Sequence, residues 1–490
     1  MRLLYIDIDT LRPDHLGCYG YPRRTSPNID ALARDAIVFE NVHASDTPCL
    51  PSRTALLTGR FGAKNGVVNH GGTDADPVIG GPDREFWSRL QLDSFPTRLK
   101  RAGLRTVSVS SFAQRHSAFH WYAGIDEAYN VGKFGIETAD EVYALAADWL
   151  KRHGAEDNWY LHVHMWDPHT PYRAAASYGE PFAGDPLPAW LTEQVRAAHW
   201  SGVGPHSARE GRGFSPKTEN PRQWPRQPEQ FPDMAAVREM FDGYDTGVLV
   251  ADDYVGRLVN LLGEVGGGDE IAIMVSSDHG ETLGELNVYG DHQTADQITT
   301  RVPLILKWPG LPGGRKQAFH YQIDVTASLL ELLGQKVPES WDGKSFAGSL
   351  KTGADEGRDH LVVSQGAWTC QRGVRFENYI LISTMHDGYH LYDEVMLFDL
   401  AADPHEQENI AAARPEVTAR GLDLLNRWLE DVGPQMARGR DPLANVVAEG
   451  GPYHVRSRLP AYLERLKATG RGDQAEALSR RHPQEAVKRK

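Results

Sequence analysis

Short apolar runs separated by amphipathic helical stretches constrain this chain more than any other feature. Residues 3–8 (LLYIDI) read as a buried strand that begins almost at the first residue. Residues 106–109, 159–165 and 271–275 read as further strands, the second with alternating character and the third buried on both faces. Helix signals lie between them. Ser26-Pro27 offers a capping hydroxyl and a proline at the first helical position, and Ile29, Leu32, Ala33 and Ala36 follow the i, i+3, i+4, i+7 stripe. Pro51-Ser52 opens a second helix that Gly59 closes, and a third runs from Pro96 to Ala102 and stops at Gly103. Strands alternating with helices predict an α/β fold with a largely parallel sheet.

The 490 residues leave room for two or three domains. The expected division is an α/β catalytic domain over 1–360, a smaller α+β domain over 361–434 and a basic tail over 435–490. From about Trp368 the texture changes, with meander-like strands at 378–383 and 389–398 and a helix over 415–432. The tail carries twelve Lys and Arg against six Asp and Glu, with a helical stretch near 459–467. It is expected to dock on a neighbouring subunit in a homo-oligomer. Residues 203–232, rich in Pro, Arg, Gly and Gln, read as a long surface excursion, either near a site or merely solvated.

The formal net charge is −14, which argues against a general binder of nucleic acid or of acidic membranes. No apolar run is long enough to span a bilayer. The opening MRLLYIDID lacks the apolar stretch and cleavage site of a signal peptide, so a cytoplasmic location is expected, or a periplasmic one if a leader was trimmed. Three cysteines (Cys18, Cys49, Cys370) make no disulfide framework.

Polar clusters follow the strands: Asp9 after the first, His164, Asp167 and His169 at the end of 159–165, and Asp278-His279 after 271–275. In open α/β sheets such strand ends converge on one crevice. Two aspartates and a histidine there suit a hard or borderline divalent cation, although any one acid taken singly is more often a cap or a solvated charge. Cys49 stands just before a helix, whose free N–H groups favour an anion, and Arg53 projects from the same turn. The bland alternative is an inert buried cysteine beside a surface arginine.

The full string Cys49-Leu50-Pro51-Ser52-Arg53, continued by Leu57-Thr58-Gly59-Arg60, resembles the signature C-x-P-S-R-x-x-x-L-T-G-R of type I sulfatases in the alkaline phosphatase superfamily. Ordered matches flank it. They include Thr10–Gly20 (TLRPDHLGCYG), Asp167-Pro168-His169-Thr170-Pro171-Tyr172, Ser277-Asp278-His279-Gly280-Glu281, Arg301-Val302-Pro303-Leu304 and Leu397-Phe398-Asp399-Leu400. The resemblance implies a large mixed, mostly parallel sheet sandwiched by helices, with a smaller C-terminal α+β domain.

It also implies roles. Cys49 would be oxidised by a separate maturation enzyme to Cα-formylglycine, whose hydrate attacks sulfur with one oxygen and expels sulfate with the other. Arg53 would anchor that diol, and Asp9, Thr10, Asp278 and His279 would hold a divalent metal, usually calcium, with manganese the alternative. His169 would bind sulfate or protonate the leaving alcohol.

Three positions depart from the family pattern. The usual Asp-Asp pair is Asp9-Thr10, which leaves one carboxylate fewer. The Gly-Lys-x-His segment is missing, with Arg115 and His116 as candidate replacements. The lysine expected nine residues before Arg301 is His292. Fewer lysines favour a singly charged ester. A sulfate monoester (aryl, alkyl or small saccharide) is the first reading, and a phosphonate monoester or phosphodiester is the runner-up. Asn69 and His70 are candidate substrate contacts, and Trp121 and Trp166 are the tryptophans nearest the site segments. The acidic body over 1–434 points to a small substrate rather than a sulfated polymer.

Overall fold

The computed structural model describes residues 1–78, 89–214, 226–266 and 270–486. Its strands, in chain order, are β1 (Arg2–Ile8), β2 (Ile37–His43), β3 (Asp46–Thr47), β4 (Arg105–Val109), β5 (Glu127–Tyr129), β6 (Trp159–Met165), β7 (Ile271–Ser276), β8 (Thr282–Leu283), β9 (Tyr289–Asp291), β10 (Arg301–Lys307), β11 (Gly314–Tyr321), β12 (His360–Gln365), β13 (Cys370–Phe376), β14 (Tyr379–His386) and β15 (Val395–Asp399). Eight of them form the main sheet in the order β11-β2-β10-β7-β1-β6-β4-β5. Every pairing is parallel except those made by β10, so the sheet is mixed and mostly parallel.

The alternation of side chains along β1 serves both faces of this sheet. Leu4, Ile6 and Ile8 enter one core with residues of the helices Ala139–His153 and Met234–Glu264. Leu3 and Tyr5 enter the opposite core with Phe95, Leu99 and Leu329, from the helices Phe95–Arg101 and Gln322–Leu332. A strand buried on both faces reads as a near-continuous apolar run, as β1 does. β6, expected to alternate, is buried along its whole length. His162 and His164 are tolerated there because Asp7 and Arg53 partner them.

The second sheet runs β15-β14-β13-β12-β3 and is antiparallel apart from β3. Two of its strands, β12 and β13, were not anticipated. The expected strand over 389–398 is realised only from Val395, because Tyr389 and Leu391 adopt positive φ. Ser26 precedes its helix but does not cap it; its hydroxyl accepts from Gly17 N–H (2.9 Å) and donates to Asp30 Oδ1 (3.0 Å).

The excursion at 203–232 is not merely solvated. Its described parts bury Ser207, Ala208, Glu210 and Phe231, while 215–225 fall outside the described residues. Nor are residues 435–486 a free tail. Its α-helices pack on their own chain: Pro442–Ala448 through Leu443 and Val446 against Val68 and Cys370, and Leu459–Ala468 and Gly472–Arg481 through Leu459, Tyr462, Leu466 and Leu478 against Val203 and Tyr389. No described helix is long and apolar enough to cross a membrane.

Candidate active site

β3, at the edge of the second sheet, ends at Thr47, and the helix Cys49–Thr58 starts two residues later. Cys49 is therefore inside the first turn, two residues earlier than Pro51-Ser52 suggested. Pro51 costs nothing there, since first-turn N–H groups have no intrahelical partner. Ser52 Oγ donates to the Asp278 carbonyl (2.7 Å), tying the helix to the segment after β7. Arg53, four residues on, shares a face with Cys49. Gly59 ends the helix at φ 65°, where a Cβ would sit 2.0 Å from the Trp341 ring. All ten helix residues are buried.

The carboxyl ends of β1, β6 and β7 meet this turn. Arg53 Nε donates to Asp7 Oδ2 (2.9 Å), Nη1 to Asp278 Oδ2 (2.5 Å) and Nη2 to His164 Nε2 (2.7 Å), and Nη1 lies 3.0 Å from Asp9 Oδ2. Cys49 Sγ is 3.1 Å from His279 Nε2. His279 Nδ1 donates to the Gly280 carbonyl (2.9 Å), which leaves the Nε2 lone pair facing Cys49.

One guanidinium thus faces three buried carboxylates. Burial alone would raise Asp9, but Arg53 and His169 hold it well below the usual carboxylate range. Burial wins at Asp278, which is pushed well up despite Arg53, with Asp9 and Asp7 adding to the rise. The Cys49 thiol is likewise pushed up by burial and by Asp9 and Asp278, so it stays protonated, and a thiol is a poor nucleophile.

The excess negative charge and the unpaired oxygens fit a cation. Asp9 Oδ1 and Thr10 Oγ1 are buried with no partner. Asp9, Cys49, Asp278 and His279 bring ligand atoms within 4.8 Å of one another. Thr10 is held at φ 59°, with its N–H on Asp278 Oδ1 (3.3 Å) and its carbonyl accepting from Tyr244 Oη (2.8 Å). This oxygen-rich set with one imidazole suits a hard or borderline divalent ion.

Above Cys49 opens a cavity of about 760 Å³. Of the sequence candidates, His70, Arg115, His116, His169 and His292 line it. His169 Nδ1 donates to the Thr170 carbonyl, and burial lowers its pKa well below the ordinary value despite Asp9. The His292 ring lies 4.2 Å from that of His279 and 5.5 Å from that of His169, and its Nδ1 is 3.1 Å from Glu281 Oε2. Glu281 is pushed up to about 7 by burial.

Asn69 does not line the cavity. It is fully buried, and its Oδ1 accepts the N–H groups of His70 (2.9 Å) and Tyr453 (3.3 Å). Trp121 and Trp166 are core residues, their indole N–H groups held by Ser108 and Ser111. Sequence reasoning missed Trp368, Tyr453 and His454, and also His206, Arg212 and Gln227 from the excursion. The composition of 203–232 was the one signal pointing to the latter group.

A family model described as Sulfatase matches residues 2–335. The chain belongs to the sulfatase family. A second model, described as N-sulphoglucosamine sulphohydrolase, C-terminal, matches residues 284–427. An ulvan-active sulfatase of Formosa agariphila is 24% identical over 468 residues, covering 90% of this chain and 83% of its own. Among solved structures, BT4656 in complex with its substrate D-glucosamine-2-N,6-O-disulfate superposes with a TM-score of 0.67 at 20% identity, covering 89% of this sulfatase-family chain and 99% of its own. The phosphonate monoester hydrolase of Silicibacter pomeroyi superposes with a TM-score of 0.65 at 20% identity, covering 89% and 96%. This likeness establishes the sulfatase-like fold. The family implies a metal and a formylglycine, and the buried cluster around Cys49 is consistent with both.

Proposed function

We propose that this chain hydrolyses a sulfate monoester (aryl, alkyl or small saccharide) after a maturation enzyme converts Cys49 to formylglycine. Asp9, Thr10, Asp278 and His279 would hold the divalent cation, calcium by first expectation and manganese by second. The observation that carries this reading is the seat of Cys49: first turn of a buried helix, one turn from Arg53, facing His279 and the floor of an open cavity.

When bound, the cation supplies Lewis acidity toward sulfate oxygens and lowers the pKa of the nucleophile. Formylglycine hydrate at residue 49 would supply one hydroxyl as the nucleophile toward sulfur, displacing the alcohol, and a second for the later release of sulfate. Arg53 orients residue 49 and adds fixed positive potential where negative charge develops. His169, its Nδ1–H committed to Thr170, holds or passes a proton at Nε2, and a bound anion favours its charged form. His292, nine residues before Arg301, brings an imidazole where the resemblance implies a lysine.

Phosphonate monoester or phosphodiester hydrolysis is the second reading. Arg115 and Arg212 line the cavity and, among its described lining, no lysine does, which suits singly charged esters of either central atom. Matured enzyme assayed in parallel on an aryl sulfate, an aryl phosphodiester and a phenyl phosphonate monoester is expected to show its highest kcat/KM on the sulfate. A preference for either phosphorus ester would replace the first reading by the second.

A further inference from the structure

Residues 428–486 lie beyond the stretches that either family model matches, yet one segment of them walls the active-site cavity. Tyr453 and His454 are clamped beside the Cys49 helix. Asn69 Oδ1 accepts the Tyr453 N–H, and the Leu50 N–H, next to Cys49, points at His70 Nε2 (3.5 Å). His70 Nδ1 is then the protonated nitrogen and donates to His454 Nε2 (2.9 Å). Gly71 is obligatory at this contact, because a Cβ there would sit 2.3 Å from the Tyr453 ring. The His454 N–H donates to the Ala367 carbonyl (3.1 Å), and its ring stacks on Trp368 at 4.4 Å and 21°.

The clamp leaves aromatic surface uncovered. Tyr453 is 50% exposed and Phe134 61% exposed, and both line the cavity with Trp368. Large apolar groups left open inside a cleft mark a place where something apolar docks. The polar end of the cavity with Cys49, His169 and His292 takes the anion, on the reading given above. A volume of about 760 Å³ leaves space for a ring beyond it.

We propose that Tyr453, Trp368 and Phe134 form an aromatic subsite for the leaving group of the ester, and that this leaving group is a ring, aryl or pyranose, rather than an acyclic alkyl chain. An aryl ring would meet these side chains in the offset or edge geometry that aromatic pairs favour, and a pyranose would lay its C–H face on them. Arg115, over the Trp166 ring and donating to the Phe134 carbonyl (3.2 Å), fixes the segment that carries Phe134.

The test is binding without turnover. Full-length Cys49→Ala protein is titrated calorimetrically with phenyl sulfate, glucose 6-sulfate and ethyl sulfate, alone and combined with Tyr453→Ala or Tyr453→Phe. At least one ring ester is expected to bind about tenfold more tightly than ethyl sulfate. Tyr453→Ala should abolish that advantage and Tyr453→Phe should keep it, which separates ring contact from folding. The phenyl and glucose arms tell an aryl from a pyranose preference. Ethyl sulfate binding as tightly as both rings, or Tyr453→Ala weakening all three esters equally, overturns the proposal. Phenyl and ethyl methylphosphonate run alongside: if only these bind, the sulfate reading fails while the ring-to-ethyl ratio still decides the subsite. Binding of none overturns the subsite as well.

Discussion

At the scale of single residues, Arg53 uses every edge of its guanidinium: Asp7 at Nε, Asp9 and Asp278 at Nη1, and His164 at Nη2. Lysine has one point charge and cannot span that fork. Arg53→Lys is predicted to lower kcat roughly 100- to 1,000-fold in steady-state assays, the loss typical when a group stabilising developing charge is removed. Thr10 makes a different prediction. Its hydroxyl is an orphaned buried oxygen, and its positive φ is one that aspartate tolerates. Thr10→Asp should tighten calcium binding measured by calorimetry, and unchanged or weaker binding would contradict Thr10 as a ligand position. Cys49, Arg53, Asp9, Asp278 and His279 were legible because each sits in a short local string. The buried place of Asn69 under Tyr453, and the presence of Tyr453 and His454 at the cavity, were not legible, because contacts across almost four hundred residues leave no local pattern.

At the scale of elements, the nucleophile helix is set by its two ends. Its start follows β3, the edge strand of the second sheet, and its stop is Gly59 in the left-handed region, with the Gly59 carbonyl accepting from Asp342 N–H (2.8 Å) and Gly343 N–H (3.2 Å). Gly59→Ala adds a strained φ, about 1–3 kcal/mol, and a clash with Trp341 on top. Thermal denaturation is expected to show a lowered Tm, and an unchanged Tm would mean that the helix end rearranges freely. The central strands were readable from apolar runs, since burial on both faces removes polar residues from them. β13 was not, because Arg372 and Arg375 interrupt its run; each is buried, with Arg372 bonded to Asp441 and Arg375 to backbone carbonyls. The start at Cys49 was missed because helix propensity reads proline and serine, whereas the start follows β3.

At the scale of the whole molecule, the basic C-terminal region folds back onto an acidic body with forty Lys and Arg against sixty Asp and Glu over residues 1–434. A clasp of charges fastens its last helix. His482 Nε2 is 2.8 Å from Asp387 Oδ1 and its Nδ1 3.4 Å from Glu485 Oε1, while Arg481 Nη1 bonds Asp387 Oδ2 (2.8 Å). Burial alone would lower the pKa of His482, but its bonds to Asp387 and Glu485 raise it to about 9. Against burial, His482 and Arg481 hold Asp387 below the carboxylate range, and His386 and His482 hold Glu485 there. A raised histidine stabilises fully below its unfolded value, near 6.5, and that share is lost as pH rises through about 9. The depressed carboxylates stabilise above their unfolded values and lose that share as pH falls through the depressed ones. Amide exchange in the helix Gly472–Arg481 should therefore quicken beyond its intrinsic pH trend above about pH 9. His482→Ala should remove that upper limb, and a limb that persists would assign it to other groups.

The seat of Cys49 carries the account, and its chemical state is open to direct measurement. Protein co-expressed with a formylglycine-generating enzyme is digested, and the peptide spanning Cys49 and Arg53 is weighed by mass spectrometry. The account predicts an aldehyde or its hydrate at position 49 in the active fraction, with ester hydrolysis rising in proportion to it. A free thiol at position 49 in protein that hydrolyses sulfate esters at full rate would contradict it.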